Sequence, residues 1–155
     1  MKITVIVVGR VKGPLAEAIA ECDERARRYW KMDLIEVDAG AAGSSAPPEV
    51  VRSAEEDRIF KRLPEAVDVV ALTRSGQAMG SRAFASYLQA QALHSRDLAF
   101  VIGGAFGLGE RVLRKARQMT LSSFTFPHEI ARLLLAEQFY RAGTILRGEP
   151  YHKGP

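Results

Sequence analysis

The sequence predicts an α/β fold, in which one Rossmann-like, mostly parallel sheet carries helices on both faces. Short apolar runs rich in β-branched residues recur along the chain, as expected for strands that are buried on both sides. Segments with helical periodicity separate these runs, and regular alternation of strand and helix favours parallel pairing through crossover connections. A length of 155 residues fits a single domain, which we predict over residues 1–155.

Apolar runs mark the predicted strands. They are Ile3–Val8, Leu34–Val37, Val67–Leu72 and Leu98–Ile102, with a weaker fifth candidate at Met119–Ser122. In open parallel sheets, ligands bind beyond the carboxyl ends of the strands. We therefore expect a site in the segments that follow Leu72, Ile102 and Ser122.

Five segments have the periodicity of helices. The predicted helices run from Pro14 to about Trp30, from about Pro48 to Leu63, from Ser81 as a candidate N-cap, from about Gly109 and from about Pro127. Proline suits the first turn of a helix, and Pro64 ends the second helix. The stretch Ala39–Pro48 is rich in Gly, Ser and Pro, and we interpret it as a surface loop.

Composition narrows the class of protein. The chain has 22 Lys and Arg against 18 Asp and Glu, a net charge of +4, which suits either a polyanionic partner such as RNA or ordinary solubility. The single cysteine, Cys22, can form no intrachain disulfide, so we expect a reducing cytoplasm and core packing of the thiol. No run approaches the ~20 apolar residues of a membrane span, and we expect no membrane partner.

A buried strand leads directly into four glycines at the end of the fourth strand. They are Gly103, Gly104, Gly107 and Gly109. Glycine permits positive φ and lets the backbone approach a ligand closely. The spacing fits neither a dinucleotide fingerprint nor a phosphate-binding Walker A loop. It predicts a ligand-binding loop, with a tight strand-to-helix turn as the alternative.

Two further segments are candidates for a site. Hydroxyl and aromatic residues alternate over Leu121–Glu129, where they could bind a purine edge or simply cap a helix. Tyr151 and His152 lie beside Lys153, a set suited to stacking on a base and contacting phosphate, unless the tail is merely frayed. The three histidines are too scattered to predict a metal site, and we expect no metal.

Four ordered motifs together resemble one known family. They are Gly103–Gly107 after its strand, Leu121–His128, Arg132–Ala142 and Pro150–His152. The chain is similar over essentially its whole length to the ribosomal RNA large subunit methyltransferase H family, in the SPOUT class. The resemblance implies a C-terminal trefoil knot, a homodimer whose sites are completed by the partner chain, and a cytoplasmic enzyme. It also implies that S-adenosylmethionine methylates N3 of a pseudouridine in 23S ribosomal RNA of the assembled ribosome.

The resemblance also assigns roles to residues. The S-adenosylmethionine pocket would be formed by Leu72, Gly103, Gly104, Ser122, Ser123, Phe124, Thr125, Phe126 and Pro127. The catalytic, substrate-side residues would be Arg141, Tyr151 and His152. We hypothesise that Arg141 stabilises negative charge on the base while His152 or a water takes the N3 proton. His128 and Glu137 match motif positions without an assigned role.

Two positions depart from the family pattern. Thr73 follows Leu72 where relatives often carry Asp, and Lys153–Pro155 extends the chain past His152. Both affect the expected details of cofactor and tail geometry.

Two other classes of function remain open from the residues alone. A nucleotide-dependent oxidoreductase would share the strand–helix alternation, but its glycines belong after the first strand. A non-catalytic ribosome-binding protein would use the same basic clusters and tail, but it would not need the glycine loop. The basic clusters are Arg25–Lys31, Arg58–Arg62 and Arg111–Arg117.

Overall fold

The computed structural model describes residues 1–42 and 45–153 of the chain. Within them, five strands form one sheet in the order β2-β1-β4-β3-β5, and every neighbouring pair is parallel. The strands are β1 (Lys2–Val8), β2 (Lys31–Val37), β3 (Asp68–Ala78), β4 (Leu98–Ile102) and β5 (Arg117–Thr120). Parts of the predicted Ala39–Pro48 loop and of the Lys153–Pro155 tail lie outside the described residues.

Helices cover both faces of the sheet, which confirms the predicted α/β class. They are α1 (Pro14–Ala26), α2 (Pro48–Phe60), α3 (Ser81–Leu93), α4 (Glu110–Lys115) and α5 (His128–Arg147). Helices α1, α3 and α5 share one apolar core with the sheet, and α2 and α4 share a second core on the opposite face. None of the helices among the described residues is long and apolar enough to cross a bilayer. The threading of the C-terminal segment into a knot stays a prediction.

Three phenylalanines join α3, β4 and α5 in the larger core. The Phe100 and Phe139 ring centroids lie 5.0 Å apart in an edge-to-face arrangement, and Phe84 lies 6.0 and 5.7 Å from them. All three rings are almost fully buried. Because edge-to-face packing adds to burial energy, this cluster fixes α5 over the centre of the sheet.

Several predicted boundaries were wrong. Helix α1 ends at Ala26 instead of about Trp30, and the Trp30 indole N–H donates to the Phe139 carbonyl at 2.9 Å. Helix α2 ends at Phe60, before the predicted Leu63, because the chain turns there with hydrogen bonds back to Ile59. Only the end of α1 is thus associated with a distant contact, whereas α2 ends in a local turn.

Strand β3 differs most from its prediction, since it continues from Leu72 to Ala78. It pairs with β5 twice, with a shift of register between Leu72 and Gln77. Met119 pairs with both Leu72 and Gln77, so β3 comes back to the same residue of β5. Only glycine fits at position 76, because a Cβ atom there would lie 2.5 Å from the Met119 backbone. Strand β5 accordingly ends at Thr120, earlier than the predicted Ser122.

Two side-chain predictions also change. Gly80, not Ser81, is the N-cap of α3. Cys22 is half-buried and is not packed fully into the core. Burial, followed by the charge of Glu137, raises the pKa of the Cys22 thiol, which disfavours a reactive thiolate.

Candidate active site

The carboxyl ends of three adjacent strands meet at one edge of the sheet. Leu72 of β3 is paired with Ile102 of β4 and also with Met119 of β5. Gly103 directly follows Ile102, and the segment from Ser122 begins two residues after β5 ends. The structure therefore brings the starts of all three predicted cofactor segments to the same edge.

Backbone conformation and packing within the chain require glycine at the positions after β4. Gly107 has a positive φ of 75°, which L side chains rarely adopt. A Cβ atom on Gly103 would lie 2.8 Å from the Gly107 carbonyl carbon. Gly104 and Gly109 pack against the side chains of α2. The tight turn and the packing against α2 thus account for these glycines within the chain, and a cofactor role for Gly103 and Gly104 stays a prediction.

Hydroxyl groups shape the start of the predicted cofactor segment Ser122–Pro127. The Thr120 hydroxyl donates to the Ser122 carbonyl at 2.6 Å, and the Ser122 hydroxyl accepts from the Phe124 N–H at 3.1 Å. The Phe124 ring is 76% exposed. No hydroxyl caps α5, whose N-cap is Pro127, so the side chains of this segment are not used as helix caps.

A cavity of about 220 Å³ lies beside this segment, between the start of α3, the end of β5 and α5. Of the described residues near the predicted cofactor segment, Thr120 and Leu121 line it. Its walls are mainly apolar, with a few polar groups, as is typical of ligand pockets. The lining residues are Met79, Gly80, Ser81, Phe84, Met119, Thr120, Leu121, Leu134, Leu135 and Gln138.

A second cavity of about 360 Å³ contains two of the three predicted catalytic residues, Arg141 and His152. Gly80 and Ser81 line both cavities, so the two meet at the start of α3. The His152 Nδ1 atom is buried and makes no hydrogen bond within the described chain. Arg141 and His152 come together although the tail and α5 are separate elements.

Glu137 organises this end of the site. Its Oε1 atom lies 2.6 Å from Arg141 Nη2 and accepts a hydrogen bond from the Tyr151 hydroxyl at 3.1 Å. The guanidinium lies 5.0 Å from the centre of the Tyr151 ring, and that ring lies 4.4 Å from Tyr140. Tyr151 therefore packs against Arg141 and shares its carboxylate partner, and a substrate-side role for Tyr151 stays a prediction.

The same carboxylate shifts the pKa values of its partners. The hydrogen bond that Arg141 donates to Glu137 raises the pKa of Arg141 further above its ordinary value. Burial, followed by the charge of Glu137, raises the pKa of the Tyr151 hydroxyl. Both groups therefore stay protonated at neutral pH, so Tyr151 is a donor and Arg141 is a cation.

A chain of hydrogen bonds links the two cavities. The Ser81 hydroxyl donates to Gln138 Oε1 at 2.7 Å, and Gln138 Nε2 donates to Glu137 Oε2 at 2.7 Å. Sequence reasoning assigned no role to Glu137 and missed Gln138 and Ser81. The spacing of Glu137 and Arg141, four residues apart on a helix, could have indicated their ion pair.

His128 lies at the other end of α5. Its Nε2 atom is 3.4 Å from the Arg10 carbonyl, and its ring occupies the space beside Gly9. This contact fixes the end of the Ser122–Pro127 segment against the loop after β1. No group of three metal-ligating side chains occurs within residues 1–42 and 45–153.

Comparison with known proteins identifies the family. Residues 1–152 match the family model described as predicted SPOUT methyltransferase. The chain belongs to the SPOUT methyltransferase family. Ribosomal RNA large subunit methyltransferase H of Gemmatimonas aurantiaca is 47% identical, with 99% of this chain and all of that protein covered. The proteins of the same name from Pelotomaculum thermopropionicum and Clostridium kluyveri are 42% and 36% identical.

Among solved structures, similarity extends to the SPOUT fold. A probable methylase family protein from Haemophilus influenzae superposes with a TM-score of 0.55 at 14% identity, covering 98% of this chain and 70% of that one. A putative methylase family protein from Neisseria gonorrhoeae gives 0.54 at 16% identity, covering 99% and 87%. The 47% identity to a ribosomal RNA large subunit methyltransferase H over almost the whole chain places this SPOUT methyltransferase in that family of enzymes, and the oxidoreductase and non-catalytic alternatives are wrong.

Proposed function

We propose that this enzyme transfers the methyl group of S-adenosylmethionine to N3 of a pseudouridine in 23S ribosomal RNA, within the assembled ribosome in the cytoplasm. The observation that carries the proposal is the meeting of two cavities at Gly80 and Ser81. One cavity lies beside the predicted cofactor segment, and the other holds Arg141 and His152. We treat residues 1–155 as one methyltransferase domain.

The first cavity adjoins the proposed cofactor-binding residues, although none of them lines it, and its walls suit part of a nucleoside. The first cavity offers apolar walls such as Phe84 and Leu121 for a flat base, and polar groups from Thr120 and Gln138. Leu72, Gly103 and Gly104 and the segment Ser122, Ser123, Phe124, Thr125, Phe126 and Pro127 are the proposed cofactor-binding residues. When bound, S-adenosylmethionine supplies a methyl group on a positively charged sulfur, which a nitrogen can attack directly.

The substrate side must handle one proton and one charge. The imide N3 of the base carries a proton that it must lose before it attacks. His152 or a water takes this proton, and His152 is the candidate because it lines the same cavity as Arg141. The Arg141 cation favours the resulting anion of the base. Glu137 holds Arg141 in place, and Tyr151 supports that ion pair.

A homodimer is supported by an apolar surface on α5. Ile130 and Leu133 are only half-buried, and Leu134 is 38% exposed. These residues lie on the helix that also carries Glu137 and Arg141. A second copy of the chain that covers this surface would contact the first cavity, because Leu134 lines it. Sedimentation of the wild type and of Leu134→Glu tests this point, and a monomeric wild type would contradict it.

The decisive experiment is methyl transfer to ribosomes that lack the modification. Purified enzyme, S-adenosylmethionine and such ribosomes should yield one methyl group per ribosome, and nucleoside mass analysis should place it on N3 of a pseudouridine. Free 23S RNA serves as the comparison substrate and should be modified poorly. Methylation of another nucleoside, or none with ribosomes of known competence, would overturn the proposal.

A further inference from the structure

Two adjacent carboxylates on α2, Glu55 and Glu56, are buried although the proposed mechanism does not use them. Only 3% and 5% of their surfaces are exposed. Burying a carboxylate costs free energy unless hydrogen bonds compensate. The contacts of the two carboxylates show what offsets this cost.

Glu55 connects the loop after β2 to the glycine loop after β4. Its Oε1 atom accepts a hydrogen bond from the Gly40 N–H at 2.8 Å. Arg58 donates to the carbonyls of Gly40 and Asp38 at 2.6 and 2.7 Å, so it fixes the same loop. On the other side, a Cβ atom on Gly104 would lie 3.0 Å from each Glu55 carboxylate oxygen. Glu55 Oε2 has no hydrogen-bond partner among the described residues.

Glu56 contacts the far end of the same glycine loop. Its Oε2 atom accepts a hydrogen bond from the Val112 N–H at 2.8 Å, in the first turn of α4. A Cβ atom on Gly109 would lie 1.9 Å from Glu56 Oε1, so the carboxylate fills the space where any other residue would place its side chain. Arg111 Nε lies 3.7 Å from Glu56 and partly balances its charge.

We propose that Glu55 and Glu56 are positioning residues that hold the Gly103–Gly109 loop in its cofactor-binding shape. Each carboxylate packs against one glycine of the loop, Gly104 near its start and Gly109 at its end. Because both carboxylates lie on one rigid helix, they fix the distance between the two ends of the loop. The inference rests on the proposed function, since it gives this loop a role in binding S-adenosylmethionine.

The first test is a conservative substitution. Glu56→Gln keeps the size of the side chain but weakens its hydrogen bond to Val112, because a charged acceptor binds more strongly than a neutral one. We expect the dissociation constant for S-adenosylmethionine to rise about tenfold, while kcat at saturating cofactor stays within about twofold. Glu49→Gln, at an exposed carboxylate in the first turn of the same helix, is the matched control and should bind the cofactor like the wild type.

A second measurement needs no cofactor. Hydrogen exchange of the backbone N–H groups in residues 103–112 should accelerate in Glu56→Gln and Glu55→Gln, and should be unchanged in Glu49→Gln. If the wild type fails to bind S-adenosylmethionine, the proposed function fails, and the exchange data still decide whether the carboxylates hold the loop. Unchanged exchange in both Gln variants would overturn the inference.

A reciprocal pair of substitutions addresses steric fit. Gly109→Ala alone should impair cofactor binding, because its Cβ would collide with Glu56. Gly109→Ala combined with Glu56→Ala removes the collision and should recover part of the loss in affinity. A double variant that binds no better than Gly109→Ala would show that Glu56 does not set the loop position.

Discussion

Glu137 and Arg141 lie one helical turn apart on α5, and the Glu137 carboxylate is 2.6 Å from the Arg141 guanidinium at the wall of a cavity. The same carboxylate oxygen also accepts the Tyr151 hydroxyl. One side chain therefore positions two of the three residues that we assign to the substrate side. Its removal should affect turnover more than cofactor binding.

Glu137→Gln should lower kcat by roughly 10- to 100-fold, because loss of the anionic partner lets Arg141 leave its position. The dissociation constant for S-adenosylmethionine should change little. Steady-state methyl transfer and calorimetric titration measure the two quantities. Glu110→Gln removes an exposed Glu–Arg pair of the same spacing on α4 and is the control. A Glu137 variant with normal kcat would contradict the assignment.

His152→Ala should reduce kcat by about 10²- to 10³-fold if His152 takes the N3 proton. Cofactor affinity should stay within about twofold, since the residue lies in the substrate-side cavity. Single-turnover methyl transfer separates the chemical step from product release. His94→Ala, an exposed histidine at the end of α3, should behave as the wild type. Equal losses in kcat and cofactor affinity would show that His152 shapes the pocket instead.

Asp23 and Arg132 form a buried ion pair at 2.5 Å between α1 and α5, and each residue is 3% exposed. Asp23→Ala leaves an uncompensated buried cation and should lower the free energy of unfolding by about 3–5 kcal/mol. Glu110→Ala, which breaks the exposed pair with Arg114, should cost less than about 1 kcal/mol. Urea unfolding measures both values, and similar costs for the two variants would disprove the importance of burial.

Stability should fall in strongly alkaline solution because of Tyr29. Burial, followed by its hydrogen bond to Glu149, raises the pKa of Tyr29 from 10.0 to about 12. A raised pKa favours the protonated form in the folded state, so the stabilisation is complete below pH 10 and is lost as the pH rises to about 12. Unfolding free energies across this range should fall less steeply in Tyr29→Phe. Parallel pH profiles for both proteins would rule Tyr29 out.

Buried strands were the most predictable elements. Leu98–Ile102 matches β4 at both ends, because every residue in it is buried and the apolar run ends where the sheet ends. Boundaries set by distant contacts were not predictable. Trp30 hydrogen-bonds to Phe139, 109 positions away, and the return of β3 depends on the packing of Gly76 against Met119. Neither contact leaves a periodic signal in the sequence.

The candidate site also has parts that the sequence predicts and parts that it does not. Strand-end reasoning located the edge where Leu72 and Gly103 lie, because the parallel sheet dictates that edge. The family resemblance singled out Arg141 and His152, which the structure places in one cavity. The sequence predicted a ligand-binding role or a tight turn for the glycines. In the structure, Glu55 and Glu56 occupy the space beside Gly104 and Gly109, where a larger residue would place its side chain. In the sequence these two carboxylates look like exposed residues of a charged helix, because their burial depends on the packing of α2 against α4.

Helix α5 is the last helix along the chain, yet Leu135 and Phe139 on it cover apolar side chains of β4 and α3. A protein product that stops before residue 128 would leave that sheet face open to water, and a contiguous apolar surface promotes aggregation and proteolysis. That face of the sheet would therefore gain its protection only once α5 has been synthesised and packed.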